Sequence, residues 1–278
     1  MVLGPVGVQS AYHPDEDTGV AEACADLVVP YTFSSAATRT IEEVSQTSGD
    51  GLRWFQLYWP VNEEITASLL TLARAVGYKV LFATLDTATM YWCPADLDLG
   101  YQPMVMGTCN AATFSDPIFR RKFAERSDGG TGTAPPVLKG IRHVGHARTA
   151  LEHGVQGIVV SNHGTRQVDG AVGALEVLPE ILDAVRDRMT VPFDSGIRTG
   201  SDIMKILCLD AKAVLVARPA MHGPGNPWGG GGALGHVMAS LLAKLDGAMG
   251  LAGIKSIADL DRSIVRRVVY GGDILSNL

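Results

Sequence analysis

Eight short apolar runs rich in β-branched residues punctuate the 278-residue chain, and no other feature narrows its fold as far. They are Val2–Val8, Leu27–Ser34, Trp54–Trp59, Lys79–Asp86, Pro136–Ile141, Gly157–His163, Val191–Gly196 and Ala213–Pro219. Most are apolar almost throughout, the pattern of parallel strands buried on both faces. Segments with helical spacing fill most of the gaps. In Glu63–Val76, residues Ile65, Leu69, Leu72 and Ala75 share one face, and Gly77 ends the pattern. His143–His153, Leu175–Met189, Ser201–Leu209 and His236–Met249 read the same way. Alternation of this kind builds a parallel sheet. Eight repeats in 278 residues predict a closed (β/α)8 TIM barrel, one domain over residues 1–278. An open dinucleotide-binding sheet is the alternative, but no G-x-G-x-x-G follows the first run.

Two stretches break the pattern. Residues Asp128 to Pro136 form a Gly/Pro-rich connector where a full helix is due, and Asp116–Arg126 before it allows only a short charged helix. The fourth helix is therefore expected to be shortened or missing. The chain as given also starts directly in a strand, with nothing ahead of it to close the bottom of a barrel.

Composition narrows the partners. Hydrophobic residues at 46% and 32 glycines supply a sizeable core with many tight turns. A net charge of −6 argues against nucleic acid or an anionic membrane as partner, so basic groups that matter act inside a site. Cys24, Cys93, Cys109 and Cys208 are scattered and contain no Cys-x-x-Cys pair, poor material for a metal site or a disulfide framework. No metal is expected. Met1 to Gln9 lacks the basic flank and apolar stretch of a signal peptide, and no run approaches the ~18 apolar residues of a membrane span. A cytoplasmic location is expected. The ending Ser276-Asn277-Leu278 resembles the peroxisomal Ser-Lys-Leu only weakly, and leaves that location as the alternative.

In a (β/α)8 barrel the active site lies at the C-terminal ends of the strands. Polar residues at those ends are Ser34, Gln56 with Tyr58, Thr84 with Asp86, Lys139, Ser161 with His163 and Arg166, Asp194, and Arg218. Solvation of strand ends accounts for two or three such groups, hardly for all. Val159 to Gly170 is the most specific segment: Gly164 permits a sharp turn, so His163 and Arg166 can converge on one pocket. Histidine suits general-base work near neutral pH, and an arginine three residues on can grip a carboxylate with two parallel hydrogen bonds. Taken alone, His163 reads more often as a capping histidine; its pairing with Arg166 reverses that. Phe193 to Gly200 is a glycine-containing turn entering a helical run, a form that binds phosphate through backbone N–H groups and the helix dipole. Val214 to Ala220 adds Arg218 at the end of the eighth run, and phosphate sites after strands seven and eight recur in this fold. The ligand is expected to carry phosphate; its identity does not follow from these residues.

Ser161 to Gln167, Asp194 to Arg198 and Gln56-Leu57-Tyr58 resemble the signatures of the FMN-dependent 2-hydroxy-acid dehydrogenases, which include glycolate oxidase and flavocytochrome b2. Thr84 to Thr87, Pro94 to Leu97 and Asp116 to Phe123 resemble the lactate 2-monooxygenase-like branch in particular, and the similarity runs from about Gly4 to Ser263. The resemblance implies FMN as cofactor, a small lactate-like L-2-hydroxy acid oxidised to the 2-oxo acid or oxidatively decarboxylated, and oxygen or another electron acceptor. A homo-oligomer is expected. By the same resemblance His163 would be the base, Asp86 would hold its imidazole, Arg166 would bind the substrate carboxylate and Tyr58 would orient the substrate. Lys139 would stand at the flavin pyrimidine edge and stabilise the charge of reduced flavin. Pro5, Val6, Gly7, Ser34, Gln56 and Thr84 would line the isoalloxazine, Asp194 would face the ribityl chain, and Gly196, Arg198, Ala217 and Arg218 would hold the phosphate.

The sequence departs from the family at four points. Cys93 stands where a second carboxylate-binding arginine is usual, a loss of ~1.5–3 kcal/mol of binding if nothing replaces it. The N-terminal segment that closes the barrel bottom and supplies a substrate-binding tyrosine has no counterpart. The connector replaces a helix between strands four and five, and Thr165 and Ala217 stand where glycine is usual. Two alternatives therefore stay open beside the oxidoreductase: a catalytically impaired flavin-binding paralogue or fragment, and a different phosphate-binding barrel such as an isomerase or aldolase.

Overall fold

The computed structural model describes residues 1–87, 103, 108–125, 137–168, 170–222 and 230–268. Among them eight parallel strands close into a barrel in chain order. The strands are β1 (Val2–Leu3), β2 (Tyr31–Ser34), β3 (Arg53–Tyr58), β4 (Val80–Thr84), β5 (Val137–Ile141), β6 (Gly157–Val160), β7 (Pro192–Asp194) and β8 (Ala213–Val216). All eight expected runs contain a strand, and most strands are shorter than their runs. The excess is polar or turned backbone: Val8 and Val28 have φ of 54°, and Ser195 has φ of 93°. Their side chains belong to loops, where left-handed backbone ends the ladder.

Period-two alternation divides each strand between two apolar layers. Phe33, Phe55, Leu57, Ile158, Val160, Phe193, Val214 and Val216 point outward into one large core beneath the helices. Val2, Phe82, Val159 and Leu215, with Trp54 and Val137, form a separate cluster inside the lumen. Two residues further along the same strands come Gln56, Thr84, Lys139 and Ser161. The lumen therefore changes from apolar to polar within one step of the alternation, and the polar step is the C-terminal one.

The helices are α1 (Glu16–Asp26), α2 (Ile41–Thr47), α3 (Glu63–Ala75), α4 (Ala111–Ser115), α5 (Pro117–Glu125), α6 (Val144–Glu152), α7 (Ala174–Val185), α8 (Gly200–Cys208), α9 (Arg218–Met221) and α10 (Gly230–Leu251). None of these described helices is long and apolar enough to cross a membrane. Helices α1 and α2 were not expected. The buried face of α1 is Asp17, Val20, Ala21, Ala23 and Cys24, too small and mixed to stand out as an apolar stripe. Helix α2 carries a capping box between Thr40 and Glu43.

The wall at β4 and β5 is built differently from the rest. The expected short charged helix is present as α5, and it docks on α3: Lys122 pairs with Glu64 at 2.9 Å, and Ser68 donates to Asp116 at 2.6 Å. Leu81 and Leu138 on the outer face there are only half-buried, whereas Ile158, Val160, Val214 and Val216 are at most 1% exposed. The connector from Asp128 to Pro136, Cys93 and the Ser276–Leu278 ending lie outside the described residues.

Candidate active site

The chemistry begins with an irregularity in β5. Its register against β6 shifts between Lys139 and Ile141, around Gly140 at φ 99°. A β-carbon on Gly140 would lie 2.5 Å from the Asp86 carboxyl carbon, so the bulge clears the space that Asp86 occupies. From there Asp86 Oδ1 reaches the His163 Nδ1 at 3.1 Å. Burial pushes the Asp86 carboxyl up, but the hydrogen bond from His163 and the charges of Lys139 and His163 outweigh it and hold it below the usual range. An ionised Asp86 can only accept, so Nδ1–H donates to it and the lone pair stays on Nε2.

The turn that presents His163 is left-handed over three residues, with φ of 56°, 65° and 66° at His163, Gly164 and Thr165. Such backbone persists only where surroundings hold it. Ser161 Oγ accepts from the His163 N–H at 3.0 Å and donates to Asp194 at 2.7 Å. Lys139 reaches the same hydroxyl at 3.3 Å and Asp194 at 3.4 Å. The Lys139–Asp194 pair is nearly sealed from solvent, with side chains 4% and 14% exposed.

Beyond these groups a pocket opens between the ends of β5, β6, β7 and β8. Pro5, Lys139, His163, Arg166, Asp194, Gly196, Arg198, Ala217 and Arg218 all line it, so nine of the expected site residues converge there. Arg166 is exposed and makes no hydrogen bond or ion pair with another described residue. Arg218 donates to the Gly164 carbonyl at 2.9 Å. Burial, and then the charges of Arg166 and Arg198, push the Arg218 pKa below its ordinary value. Three mutually repelling guanidiniums around one pocket are stabilised by an anion.

The opposite part of the rim is neutral. Ser34 donates to Gln56 at 2.9 Å, and Gln56 donates to Thr84 at 2.8 Å, all three buried on inward positions of β2, β3 and β4. Val6 and Gly7 follow β1, and a β-carbon on Gly7 would lie 2.9 Å from the Ala36 β-carbon. Tyr58 ends β3 within the field of the charged groups. Burial, then the charge of Asp86, pushes its hydroxyl up to about 12 against the pull of Arg166. It is therefore a hydrogen-bond donor at neutral pH.

Ahead of α8, Asp202 accepts from the Arg198 and Thr199 N–H groups at 3.1 and 2.9 Å, so these two donors are already occupied. The start of α9 has no side-chain cap at Ala217, and Gly196 has open space where a β-carbon would point. The donor set fits a phosphate monoester held between these two loops and Arg198 and Arg218. Gly140 and Ser195 act in the site without having been singled out for it, whereas Ser161 stands among the polar strand ends read from the sequence.

The sequence pattern of the FMN-dependent dehydrogenase family matches residues 1–134 and 130–267, two stretches that meet in the Gly/Pro connector. An FMN-dependent alpha-hydroxy acid dehydrogenase of Penicillium citrinum is 47% identical over 308 aligned positions, covering 100% of this chain and 76% of that protein. The 2-hydroxyacid oxidase 1 of Homo sapiens is 32% identical, over 95% of this chain and 77% of its own. Among solved structures, mandelate oxidase with 3,3-difluoro-2-hydroxy-3-phenylpropionic acid superposes with a TM-score of 0.81 at 36% identity, covering 94% of this chain and 77% of that one. A mandelate oxidase variant solved with a C4a-OH-FMN adduct matches equally, with a TM-score of 0.81 at 35% identity over 94% of this chain and 78% of that one. The polar barrel mouth and these matches agree, and the chain belongs to the FMN-dependent dehydrogenase family.

Proposed function

We propose that this flavoprotein oxidises a small, lactate-like L-2-hydroxy acid to the 2-oxo acid, with His163 as the base. The observation that carries the reading is the pairing of His163 with Asp86 beside an exposed Arg166 that pairs with no other described residue. Bound FMN supplies the acceptor for the two electrons that leave the substrate. Oxidising CH–OH to C=O also releases protons, and His163 Nε2 is placed to take one. Asp86, ionised, orients the imidazole and stabilises the imidazolium that results. Arg166 holds the carboxylate, and the Tyr58 hydroxyl donates to the substrate oxygen.

The remaining groups hold the cofactor. Arg198, Arg218 and the loops at Gly196 and Ala217 take the phosphate, and Asp194 takes the ribityl hydroxyls. Lys139 would stand at the flavin edge, while Pro5, Val6, Gly7 and the Ser34–Gln56–Thr84 chain would border the ring. The chain acts as a single domain within a homo-oligomer and hands its electrons to oxygen or another acceptor. The test is a visible spectrum of the purified protein before and after anaerobic L-lactate. Bleaching of the flavin band is expected. A band that persists through lactate, glycolate and an aryl 2-hydroxy acid overturns the reading.

A further inference from the structure

Ser195 sits at φ 93°, a conformation that glycine adopts freely and a serine does not. Its hydroxyl does something no glycine can do. Oγ accepts from the Asn162 N–H at 3.3 Å and from the Gly164 N–H at 3.2 Å, the two amides that flank His163. The His163 amide between them goes to Ser161 Oγ at 3.0 Å, and the Gly164 carbonyl accepts from Arg218 at 2.9 Å. Thr165 N–H closes the turn on the Asn162 carbonyl at 3.0 Å. Consecutive backbone groups of a left-handed turn are thus satisfied from outside it. Ser195 and Arg218, on the two loops that line the anion pocket, supply most of that support.

We propose that Ser195 is a positioning residue whose hydroxyl registers the His163 turn against the loop after β7. The consequence is a mechanical link between the two ends of the site. The loop that borders the phosphate pocket also sets where the imidazole stands, so the base and the cofactor are located by one piece of backbone. Asp86 then orients a ring whose backbone is already placed. Without the Ser195 hydroxyl, the backbone of the three left-handed residues keeps only Ser161 and Arg218 as partners outside the turn among the described residues, and the imidazole samples positions away from Asp86.

The catalytic part of this inference rests on the proposed function; the positional part does not. Two variants of the flavin-loaded protein separate the hydroxyl from the strain. Ser195→Gly removes both, and Ser195→Ala removes the hydroxyl alone. The glycine variant should melt above the alanine variant because it relieves the positive φ. Both should nevertheless lose amide hydrogen-exchange protection at residues 162 and 164 by at least tenfold, with β6 unchanged. Both should also slow flavin reduction at saturating 2-hydroxy acid by about tenfold, with KM changed by less than threefold. A glycine variant that keeps the parent's protection and reduction rate overturns the proposal. So do rates that merely follow the two melting temperatures. If no 2-hydroxy acid reduces the parent, the functional reading fails, and the exchange comparison still decides the role of Ser195.

Discussion

Across the mouth of the barrel, the ends of β2, β3 and β4 offer Ser34, Gln56 and Thr84, whereas β5 to β8 offer Lys139, His163, Asp194 and Arg218. The first group is neutral, buried and linked into one hydrogen-bonded chain of 2.9 and 2.8 Å. The second is made of titratable groups, and it rests on backbone with φ of 56° at His163, 99° at Gly140 and 93° at Ser195. On the proposed function, the difference follows from what each half would do. A chain of neutral hydrogen bonds fixes a shape and projects little field, which suits the rim of an uncharged heterocycle. Phosphate and carboxylate need field, and groups that generate it repel one another unless the fold pins them. The bonds from Ser161, Ser195 and Arg218 that pin the His163 turn accordingly belong to the charged half.

The largest effects should come from that half. His163→Gln should leave the protein yellow and slow flavin reduction by about 10²–10⁴-fold, read by anaerobic stopped-flow absorbance. A variant reduced at the parent's rate removes His163 from the base role and with it the functional meaning of the charged half. Arg218→Ala should weaken FMN by about 10–100-fold, the equivalent of one lost charge-assisted contact of about 1.5–3 kcal/mol. Arg198→Ala should do less than Arg218→Ala, because Arg198 is the more exposed of the two. Titrating apoprotein with FMN checks both, and unchanged dissociation constants would undo the phosphate assignment. Gln56→Leu probes the neutral half. It strands the Ser34 and Thr84 hydroxyls, and apoprotein stability should fall by about 1–3 kcal/mol in a denaturant titration. If Gln56→Leu is as stable as the parent, the neutral chain is not a structural wall.

The two halves also differed in how well the sequence announced them. Apolar runs located all eight strands because burial on both faces leaves a continuous signature. His163, Arg166, Asp194 and Arg218 stood out because so many polar groups at the ends of such runs exceed what solvation of strand ends explains. Gly140 and Ser195 did not. What makes Gly140 matter is that Asp86, 54 residues earlier, fills the space above it, a contact that no local pattern records. Ser195 sits within the turn that the sequence offers for phosphate, yet its hydroxyl bonds to a different loop. Helix α1 escaped notice for the opposite reason. Its buried face of Ala21, Ala23 and Cys24 is small because the neighbouring elements pack closely on it, and small residues carry little periodic signal.

Asp86 tests whether the two halves are independent. It follows β4, on the neutral side, but its carboxylate passes over Gly140 to meet His163 and lies within the field of Lys139. Its folded-state pKa is depressed, so its ionised form is preferred by the folded protein. The stability this contributes is fully present above the ordinary carboxyl pKa of about 3.9 and is lost as pH falls through the lower, folded-state value. Asp86→Asn keeps the shape and removes the charge. The stability difference between parent and variant apoprotein should hold steady from neutral pH down to the ordinary carboxyl range. Below it, the difference should shrink toward a plateau set by the lost shape complementarity alone. Urea titrations at a series of pH values give that difference directly. The effect is the smallest of those set out, because Asp86 is opposed by its own burial and the net shift is what remains. A difference independent of pH would mean that Asp86 holds His163 by geometry without charge, and the neutral half would then end at Asp86 instead of at Thr84.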